Sequence, residues 1–192
     1  MNSVIFCFEG ANDVGKSTLL KKLSNNSLCQ NFELGTTEKL QDYEWWFHNS
    51  SPYELIDEII GLVTKREKGI CSFCESKVCL VDKGYMTLFS RLKATFLLRG
   101  IVPNELSKYM DYFTEKYINR SAYNIKEILL LPKMSDNNLK SEDVFFLKYN
   151  NIQREILLSF KYDYVLKYKE FPGEKEYNLI TNYIHQRGRH AR

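Results

Sequence analysis

The stretch EGANDVGKST, residues 9–18, constrains the fold of this chain more than any other segment. It fits the pattern G-x-x-x-x-G-K-[ST], whose fixed positions are occupied by Gly10, Gly15, Lys16 and Ser17. An apolar, β-branched and aromatic run precedes the pattern, and leucines at helical spacing follow it. A strand, a glycine loop and a helix in this order form the context in which the pattern binds phosphate, so a phosphate-binding loop is predicted here.

The residue types in this loop suit the phosphates of a nucleoside triphosphate. Successive backbone N–H groups converge on the anion, and the following helix adds its N-terminal partial positive charge. Lys16 supplies a charge for the β- and γ-phosphates, Ser17 offers a hydroxyl to Mg²⁺, and Thr18 can donate to the α-phosphate. Asp13 is unexpected, because it places a negative charge in a loop that receives a polyanion. The loop that we predict to bind these phosphates consists of Gly10, Ala11, Asn12, Asp13, Val14, Gly15, Lys16, Ser17 and Thr18.

Strand-sized apolar runs alternate with helical patterns along the whole chain. Strands are predicted at 3–8, 77–81, 125–131 and 162–166, and helices at 16–24, 52–67, 85–99, 104–119, 143–160 and 173–185, whereas residues 25–50 show poor periodicity. This alternation predicts an α/β fold with a parallel sheet covered by helices on both faces. The 192 residues are expected to form one domain, and the basic end HQRGRHAR, residues 185–192, is expected to be a frayed tail.

Composition narrows the class of protein. A hydrophobic fraction of 44% predicts a globular chain, and a net charge of +3 is too small to indicate binding to a nucleic acid polymer. There is no apolar run of roughly 18 to 20 residues and no basic segment before an apolar one at the N-terminus, so we expect a cytoplasmic protein without a membrane span. The five cysteines are expected to be free thiols, although Cys71 and Cys74 could alternatively hold zinc or form a redox pair.

Phosphoryl transfer by such a loop also needs a carboxylate that holds Mg²⁺. Ligands collect at the carboxyl ends of parallel strands, and Asp82 directly follows the apolar run KVCLV. We therefore predict that Ser17 and Asp82 hold Mg²⁺, and that Lys16 and Asp82 are the catalytic residues. The alternative for Asp82 is a helix N-cap or a surface carboxylate.

Two segments give the chain a resemblance to a known family. FEGANDVGKST resembles the F-E-G-x-D-x-x-G-K-[ST]-T opening of thymidylate kinases and related nucleoside and nucleotide kinases, and VDKGY resembles their D-R-[YG] segment. The final helix, strand and helix are similar in order to the end of those kinases. The resemblance implies a P-loop NTPase-type fold, transfer of the γ-phosphoryl group of ATP to a nucleoside monophosphate with thymidylate as the first guess, and a homodimer. The helix predicted at 85–99 is apolar on more than one face, which also favours a dimer contact.

The resemblance further implies where the acceptor lies. Asp82 would lie near Mg²⁺ and the attacking group, and Lys83 would stand in for an Arg that contacts the acceptor phosphate. Residues 43–47, YEWWF, which we call the aromatic segment, could stack against the acceptor or simply pack in the core. For Arg91 the alternative is a solvated helix face, and Arg99 is expected to do no more than favour a helix end. The acceptor candidates are Asn12, Trp45, Trp46, Phe47, Lys83, Tyr85 and Arg91.

The chain also departs from the family pattern. Asn12 stands where the family has an Asp, and Asp13 stands where some members have a catalytic Arg. The segment expected to form the lid, about residues 132–143, contains no Arg, so we predict a short and atypical lid. Two alternatives therefore stay open: a kinase of nucleosides or other small molecules, and a nucleotide-binding protein with little transferase activity. No N-K-x-D segment follows the third predicted strand, which disfavours a GTP-dependent switch.

Overall fold

The computed structural model describes residues 4–12, 14–25, 29–73, 78–118, 124–132, 144–169 and 171–189. Strands and helices alternate along these ranges. The strands are β1 (Val4–Glu9), β2 (Cys29–Phe32), β3 (Val78–Asp82), β4 (Asn124–Pro132) and β5 (Tyr164–Tyr168). The helices are α1 (Lys16–Ser24), α2 (Glu38–Gln41), α3 (Pro52–Phe73), α4 (Tyr85–Leu98), α5 (Pro103–Ile118), α6 (Val144–Leu158) and α7 (Glu174–Arg189), with a π-helical turn at Trp45–Asn49.

The strands form one parallel sheet in the order β2-β3-β1-β4-β5. Strand β1 is buried along its whole length, as expected for the centre of a sheet covered on both faces. The register pairs Phe8 with Asp82 on one side and Glu9 with Leu129 on the other. The end of β1, from which the glycine loop departs, therefore lies beside Asp82 at the carboxyl edge of the sheet.

Alternate side chains of β1 enter different clusters on the two faces of the sheet. Phe6 and Phe8 pack with leucines of α1 and with Ile180 of α7. Ile5 and Cys7 pack on the other face with Ile70 of α3. A larger cluster joins α3, α4, α5 and α6 to the aromatic segment. The predicted α/β fold with helices on both faces of a parallel sheet is confirmed.

Several predicted boundaries differ from the structure. The region 25–50, which showed poor periodicity, contains β2, α2 and the π-helical turn, and β2 escaped prediction because its four residues, CQNF, are half polar. Helix α3 continues past 67 to Phe73. Helix α7 continues to Arg189, so residues 185–189 of the expected frayed tail are helical.

None of the described helices is both long and apolar enough to cross a membrane. Nor do the described residues contain a group of three or more His, Cys, Asp or Glu side chains suited to a metal ion. Cys71 lies near the end of α3, whereas Cys74, its partner in the alternative zinc or redox site, lies outside the described residues.

Candidate functional site

The glycine loop has the backbone geometry that its sequence predicts. Gly15 is the N-cap residue of α1 and adopts φ 80°, a left-handed conformation that favours glycine. A Cβ on Gly15 would lie 2.7 Å from Cδ of Pro172, and a Cβ on Gly10 would lie 2.9 Å from Cγ2 of Val14. Both positions are therefore restricted to glycine by the close approach of neighbouring groups, and Gly15 also by its φ angle.

Lys16 is buried and turned onto its own loop. Its ammonium donates hydrogen bonds to the carbonyl oxygens of Gly10 at 2.8 Å and Ala11 at 2.5 Å. Burial lowers the pKa of Lys16 to about 8, while the nearby Asp82 carboxylate opposes this shift. Ser17 and Thr18, the next two residues of α1, are exposed. The ammonium is thus held where phosphate oxygens bound in the loop would provide a charged acceptor.

Asp82 ends β3 and is buried, with 5% of its surface exposed. Its Oδ2 lies 3.7 Å from Nζ of Lys83, while Oδ1 is buried and has no hydrogen-bond partner among the described residues. A buried carboxylate oxygen without a partner requires an explanation, and a hard cation bound directly or through water would supply one. The side chains present therefore fit the Mg²⁺ ion predicted from the sequence.

The turn between β3 and α4 has an uncommon backbone conformation. Lys83 has φ 61°, in the left-handed region that non-glycine residues rarely adopt. Its backbone N–H donates to the carbonyl oxygen of Phe8 at 3.3 Å. Nη1 of Arg66 donates to the carbonyl oxygens of Asp82 and Lys83, both at 3.0 Å. Contacts from β1 and α3 therefore hold this turn on both sides.

Glu9 connects the glycine loop to the start of α4. Its fully buried carboxylate accepts hydrogen bonds from the backbone N–H groups of Met86 at 3.2 Å and Thr87 at 2.7 Å. The hydroxyl of Thr87 in turn accepts from the backbone N–H of Gly10 at 3.0 Å. A Cβ on Gly84 would lie 2.2 Å from Oε1 of Glu9, so a side chain at that position would displace this carboxylate.

A second carboxyl group lies beside Glu9. Burial and the neighbouring Glu9, which shares a hydrogen bond with it, raise the pKa of Glu127 to about 10. Asp163 adds to this shift, and its own carboxylate accepts from the backbone N–H of Glu127 at 2.9 Å. Burial and the nearby Glu9 thus both favour the neutral form of the Glu127 carboxyl group.

Sequence reasoning missed both Glu9 and Arg66 as residues of this site. A signal for Arg66 existed, since it lies three residues after Val63 and seven after Ile59 and so falls on the apolar stripe of α3. Arg66 is in fact 5% exposed. For Glu9 the signal was an acid at the end of a buried strand, directly before the first glycine of the loop.

The predicted acceptor residues do not all face the same surroundings. Trp46 and Phe47 are 5% and 7% exposed, and Nε1 of Trp46 donates to the hydroxyl of Thr95 at 2.9 Å. The hydroxyl of Tyr85 lies 2.9 Å from that of Thr114, and its ring stacks on Phe113. Packing therefore accounts for Trp46 and Phe47, whereas Tyr85 is half-buried and its role toward an acceptor stays a prediction. Trp45 and Asn12 are only half-buried.

Arg91 and Arg99 contact the aromatic segment in different ways. The Arg91 guanidinium lies 4.8 Å from the ring centroid of Trp46. Its positive charge is close enough to Lys16 to help lower the pKa of that lysine. Nε of Arg91 has no hydrogen-bond partner among the described residues. Arg99 donates to the carbonyl oxygens of Trp46 and of Ser50, the latter at 2.7 Å. Arg99 thus fixes the π-helical turn to α4, a larger role than the favourable helix end expected from sequence.

The segment between β5 and α7 also touches the glycine loop. Phe171 is 69% exposed, yet its Cδ1 lies 3.5 Å from the point where a Cβ on Gly15 would stand. Tyr168, the last residue of β5, donates its hydroxyl to the carbonyl oxygen of Val14. This end of the sheet therefore braces the loop and presents an exposed aromatic ring beside it.

Some predicted features lie outside the described residues. These are Asp13 in the glycine loop and residues 133–143, which include nearly all of the predicted lid. Pro132 at the start of that lid ends β4, and its carbonyl oxygen accepts from Arg154 at 3.1 Å.

Neither a protein-family model nor a curated protein matches this sequence. Solved structures do match. The thymidylate kinase of Candida albicans, described as having broad substrate specificity, superposes with a TM-score of 0.70 at 11% identity over 97% of this chain and 92% of that one. A deoxyadenosine kinase from M. mycoides with bound dATP gives 0.71 at 13% identity over 94% and 98%. The chain has the P-loop kinase fold.

A third similar structure shares this fold over part of its length. NadR, in complex with NR, superposes with a TM-score of 0.55 at 14% identity, over 97% of this chain but 51% of that protein. The P-loop kinase fold predicted from the resemblance is therefore confirmed. At 11 to 14% identity the superpositions establish the fold, and the roles of individual residues rest on the geometry of this chain.

Proposed function

We propose that this chain is a kinase that transfers the γ-phosphoryl group of ATP, with Mg²⁺, to a nucleoside monophosphate. Thymidylate is the first acceptor to test. The observation that carries the proposal is the meeting of Lys16 in the glycine loop with Asp82 at the same edge of a parallel sheet, where Asp82 has a buried oxygen without a partner among the described residues. Ligands of α/β proteins bind at this edge.

Catalysis by such a site consists mainly of positioning and charge neutralisation. Lys16 would shift from the carbonyl oxygens of Gly10 and Ala11 to the β- and γ-phosphates, and the backbone N–H groups of the loop would bind the remaining oxygens. Asp82 and the hydroxyl of Ser17 would hold Mg²⁺, which when bound supplies further neutralisation of the transferred group. Lys83, 3.7 Å from Asp82, would orient the acceptor beside the metal.

Phe171 supports the same placement of ATP. Its ring is 69% exposed and lies next to Gly15, at the end of the glycine loop that leads into α1. Exposed aromatic rings of this kind stack favourably on purine bases. We therefore place the adenine of ATP against Phe171, between the glycine loop and the start of α7.

The proposed acceptor side contains several cationic side chains, which differ in whether backbone carbonyl oxygens already bind them. Arg66 and Arg99 are engaged by backbone carbonyl oxygens, whereas Lys83 and Arg91 point to no such partner in the described part of the chain. Two such cations support an acceptor that carries its own phosphate. The deoxyadenosine kinase neighbour supports the alternative, a nucleoside acceptor, because its fold covers 94% of this chain.

An acceptor panel with radiolabelled ATP tests these functions. We expect labelled product from at least one nucleoside monophosphate, and a loss of roughly a hundredfold or more in the Lys16→Ala and Asp82→Asn variants. Strong turnover of thymidine without turnover of thymidylate would instead establish a nucleoside kinase. Saturable ATP binding by calorimetry without product from any acceptor would leave a nucleotide-binding protein and refute the proposed transfer.

We also propose a homodimer, but the structure removes most of the apolar surface of α4 on which that prediction relied. Leu88, Leu92 and Phe96 of α4, whose apolar character favoured a dimer contact, are buried within this chain against α5 and α6. Leu97 of the same helix is 41% exposed. Sedimentation equilibrium tests the dimer, and a mass of 22.7 kDa at all concentrations would exclude it.

A further inference from the structure

We infer that Arg66 is a positioning residue of the kinase site, which holds the turn of Asp82 and Lys83 in the conformation that presents both side chains to the substrates. The inference rests on the proposed function, since it gives Asp82 and Lys83 their roles toward Mg²⁺ and the acceptor. Arg66 itself touches neither, because it acts through the backbone of the turn. It comes from α3, the helix directly before β3 in the chain, and lies 16 residues before Asp82.

The contacts of Arg66 are concentrated on this turn. One nitrogen, Nη1, donates to two consecutive carbonyl oxygens, those of Asp82 and Lys83, both at 3.0 Å. Nη2 lies 3.3 Å from Oε1 of Glu67 and 3.4 Å from the hydroxyl of Tyr117. The guanidinium thus uses the two hydrogens of one nitrogen for the turn, and its other nitrogens remain available to contact α3 and α5.

The turn needs such support because its conformation is unfavourable by itself. Lys83 has φ 61°, and an L-residue with a Cβ is strained in that region. Strained backbone of this kind persists only where the surrounding structure determines it, and such residues concentrate at functional sites. On the other side of the turn, the N–H of Lys83 donates to the carbonyl oxygen of Phe8 in β1, at the longer distance of 3.3 Å. The guanidinium of Arg66 therefore provides the shorter contacts.

The burial of Arg66 is difficult to explain by stability alone. It lies on the apolar stripe of α3, beside Cys7, Val81 and Tyr117, and its Nε has no hydrogen-bond partner among the described residues. Removing a charge from water is costly, and an apolar residue of similar volume often stabilises such a position as well or better. A role in fixing the geometry of the turn accounts for a charge at this place.

Arg66 also determines the distance between the side chains of Asp82 and Lys83. Asp82 and Lys83 are consecutive, and their side chains come within 3.7 Å because the left-handed residue between β3 and α4 folds the backbone back at that point. If the turn relaxed, the Asp82 carboxylate and the Lys83 ammonium would separate, while the glycine loop, which leads from the end of β1 into α1, would stay in place. The inference therefore predicts altered Mg²⁺ and acceptor use together with normal ATP binding.

The kinetic test compares Arg66→Met and Arg66→Lys with Arg99→Met. Arg99 is the matched control for the Mg²⁺ dependence, because its guanidinium also binds two backbone carbonyl oxygens, but those of Trp46 and Ser50 rather than those of Asp82 and Lys83. We expect Arg66→Met to lower kcat by about tenfold to a hundredfold and to raise the Mg²⁺ concentration at half-maximal rate, with Kd for ATP changed by less than about twofold. Arg66→Lys should recover part of the loss. An unchanged Mg²⁺ dependence in a folded Arg66→Met protein would overturn the inference. An equal change of the Mg²⁺ dependence in Arg99→Met would overturn it as well.

A second test needs no activity and so separates this inference from the proposed function. Lys83→Gly and Lys83→Ala both remove the ammonium, but only glycine accepts φ 61° without strain. We expect Lys83→Gly to unfold at a higher urea concentration than Lys83→Ala when Arg66 is present. In an Arg66→Lys background, which keeps the charge and is chosen to preserve folding, the difference should shrink because the turn can relax. An equal difference in both backgrounds would refute the positioning role, whether or not any acceptor is phosphorylated.

Discussion

Binding of ATP should make Lys16 take up a proton above pH 7. Burial lowers the pKa of this ammonium to about 8, and the positive charges of Lys83 and Arg91 contribute to the shift, while Asp82 opposes it. Its present partners, the carbonyl oxygens of Gly10 and Ala11, are neutral. Triphosphate oxygens would replace them with several negative charges at short range, which favours the protonated form and restores its pKa toward the ordinary value of 10.5.

The size of the effect follows from the pKa of about 8 in the unliganded protein. Lys16 is then about nine-tenths protonated at pH 7, half protonated at pH 8 and about one-tenth protonated at pH 9. Binding should take up about 0.1, 0.5 and 0.9 of a proton at these three pH values. Affinity for ATP should fall toward tenfold per pH unit above pH 8, because ATP must then bind a protein whose lysine has lost its charge.

Folding of the unliganded protein should depend on pH in the opposite direction. Because the pKa of Lys16 is lowered on folding, the unfolded chain binds more protons between pH 8 and pH 10.5. The contribution of Lys16 to stability therefore rises with pH across that window, while its contribution to ATP binding falls. This difference in sign separates loss of ATP binding by deprotonation from loss by unfolding.

Isothermal titration calorimetry in pairs of buffers with different ionisation enthalpies measures the proton uptake directly. The test protein is the wild type at pH 7, 8 and 9, and the variant is Lys16→Met, which keeps the length of the side chain without a titratable group. Lys21→Met, on the exposed side of the same helix, is the matched control and should behave like the wild type. No proton uptake at pH 8 and 9, or the same uptake in Lys16→Met, would refute the reasoning.

Three further predictions follow from the surroundings of the loop. Gly84→Ala places a Cβ 2.2 Å from Oε1 of Glu9 and should lower the free energy of unfolding by about 1 to 3 kcal/mol. The control is Gly61→Ala in α3, whose Cβ meets nothing within 4 Å, so this variant should be neutral or stabilising. Equal urea midpoints for the two variants would contradict the prediction. The pKa of Glu127 is raised from 4.5 to about 10, so folding takes up a proton and stability falls as pH rises between these values. Glu127→Gln should therefore flatten the decline of the urea midpoint between pH 6 and pH 9, and an unchanged decline would exclude the neutral acid. Phe171→Ala should weaken ATP binding by roughly tenfold and leave the binding of inorganic triphosphate unchanged, since stacking on a base contributes about 1 to 3 kcal/mol; equal losses for both ligands in calorimetry would reject the adenine site.

The glycine-loop half of the proposed site could be predicted from sequence because it is local. The conformation of Gly15, the position of Lys16 and the start of α1 depend on residues within one strand, loop and helix. Asp82 could be placed as well, because the end of an apolar strand in a parallel sheet determines which edge it occupies. In both cases the spacing along the chain fixes the geometry, so a sequence motif is enough to predict where the side chain lies.

The contacts around the proposed acceptor side are long-range and left little trace in the sequence. Glu9 meets Thr87 across 78 positions, and Arg66 meets Asp82 across 16. Their signals were a single acid before a glycine and a single charge on an apolar stripe, either of which could have been solvated. Only the packing of α3 and α4 against β1 shows that both charged groups are buried at the same turn.

The aromatic segment shows why sequence left two alternatives open. Rings suited to stack on a nucleobase are equally suited to pack on one another, and the choice depends on residues distant in sequence. Phe47 meets Phe145 edge-to-face at a centroid distance of 4.9 Å and Tyr149 at 5.6 Å, both from α6. Those contacts assign Phe47 to the core, but they could not be inferred before the position of α6 was known.

The distribution of charge around α4 has a consequence for the acceptor. Arg66 and Arg99 look from sequence like candidates to bind an anion, yet both donate to backbone carbonyl oxygens and shape the protein itself. Arg66 holds Lys83 in place. Arg99 fixes Trp46, and the guanidinium of Arg91 rests on the ring of that tryptophan. Each cation that we propose for the acceptor is therefore supported by a second arginine behind it. An acceptor phosphate would meet groups already oriented before it binds, which lowers the entropy lost on binding and favours a charged acceptor at this site.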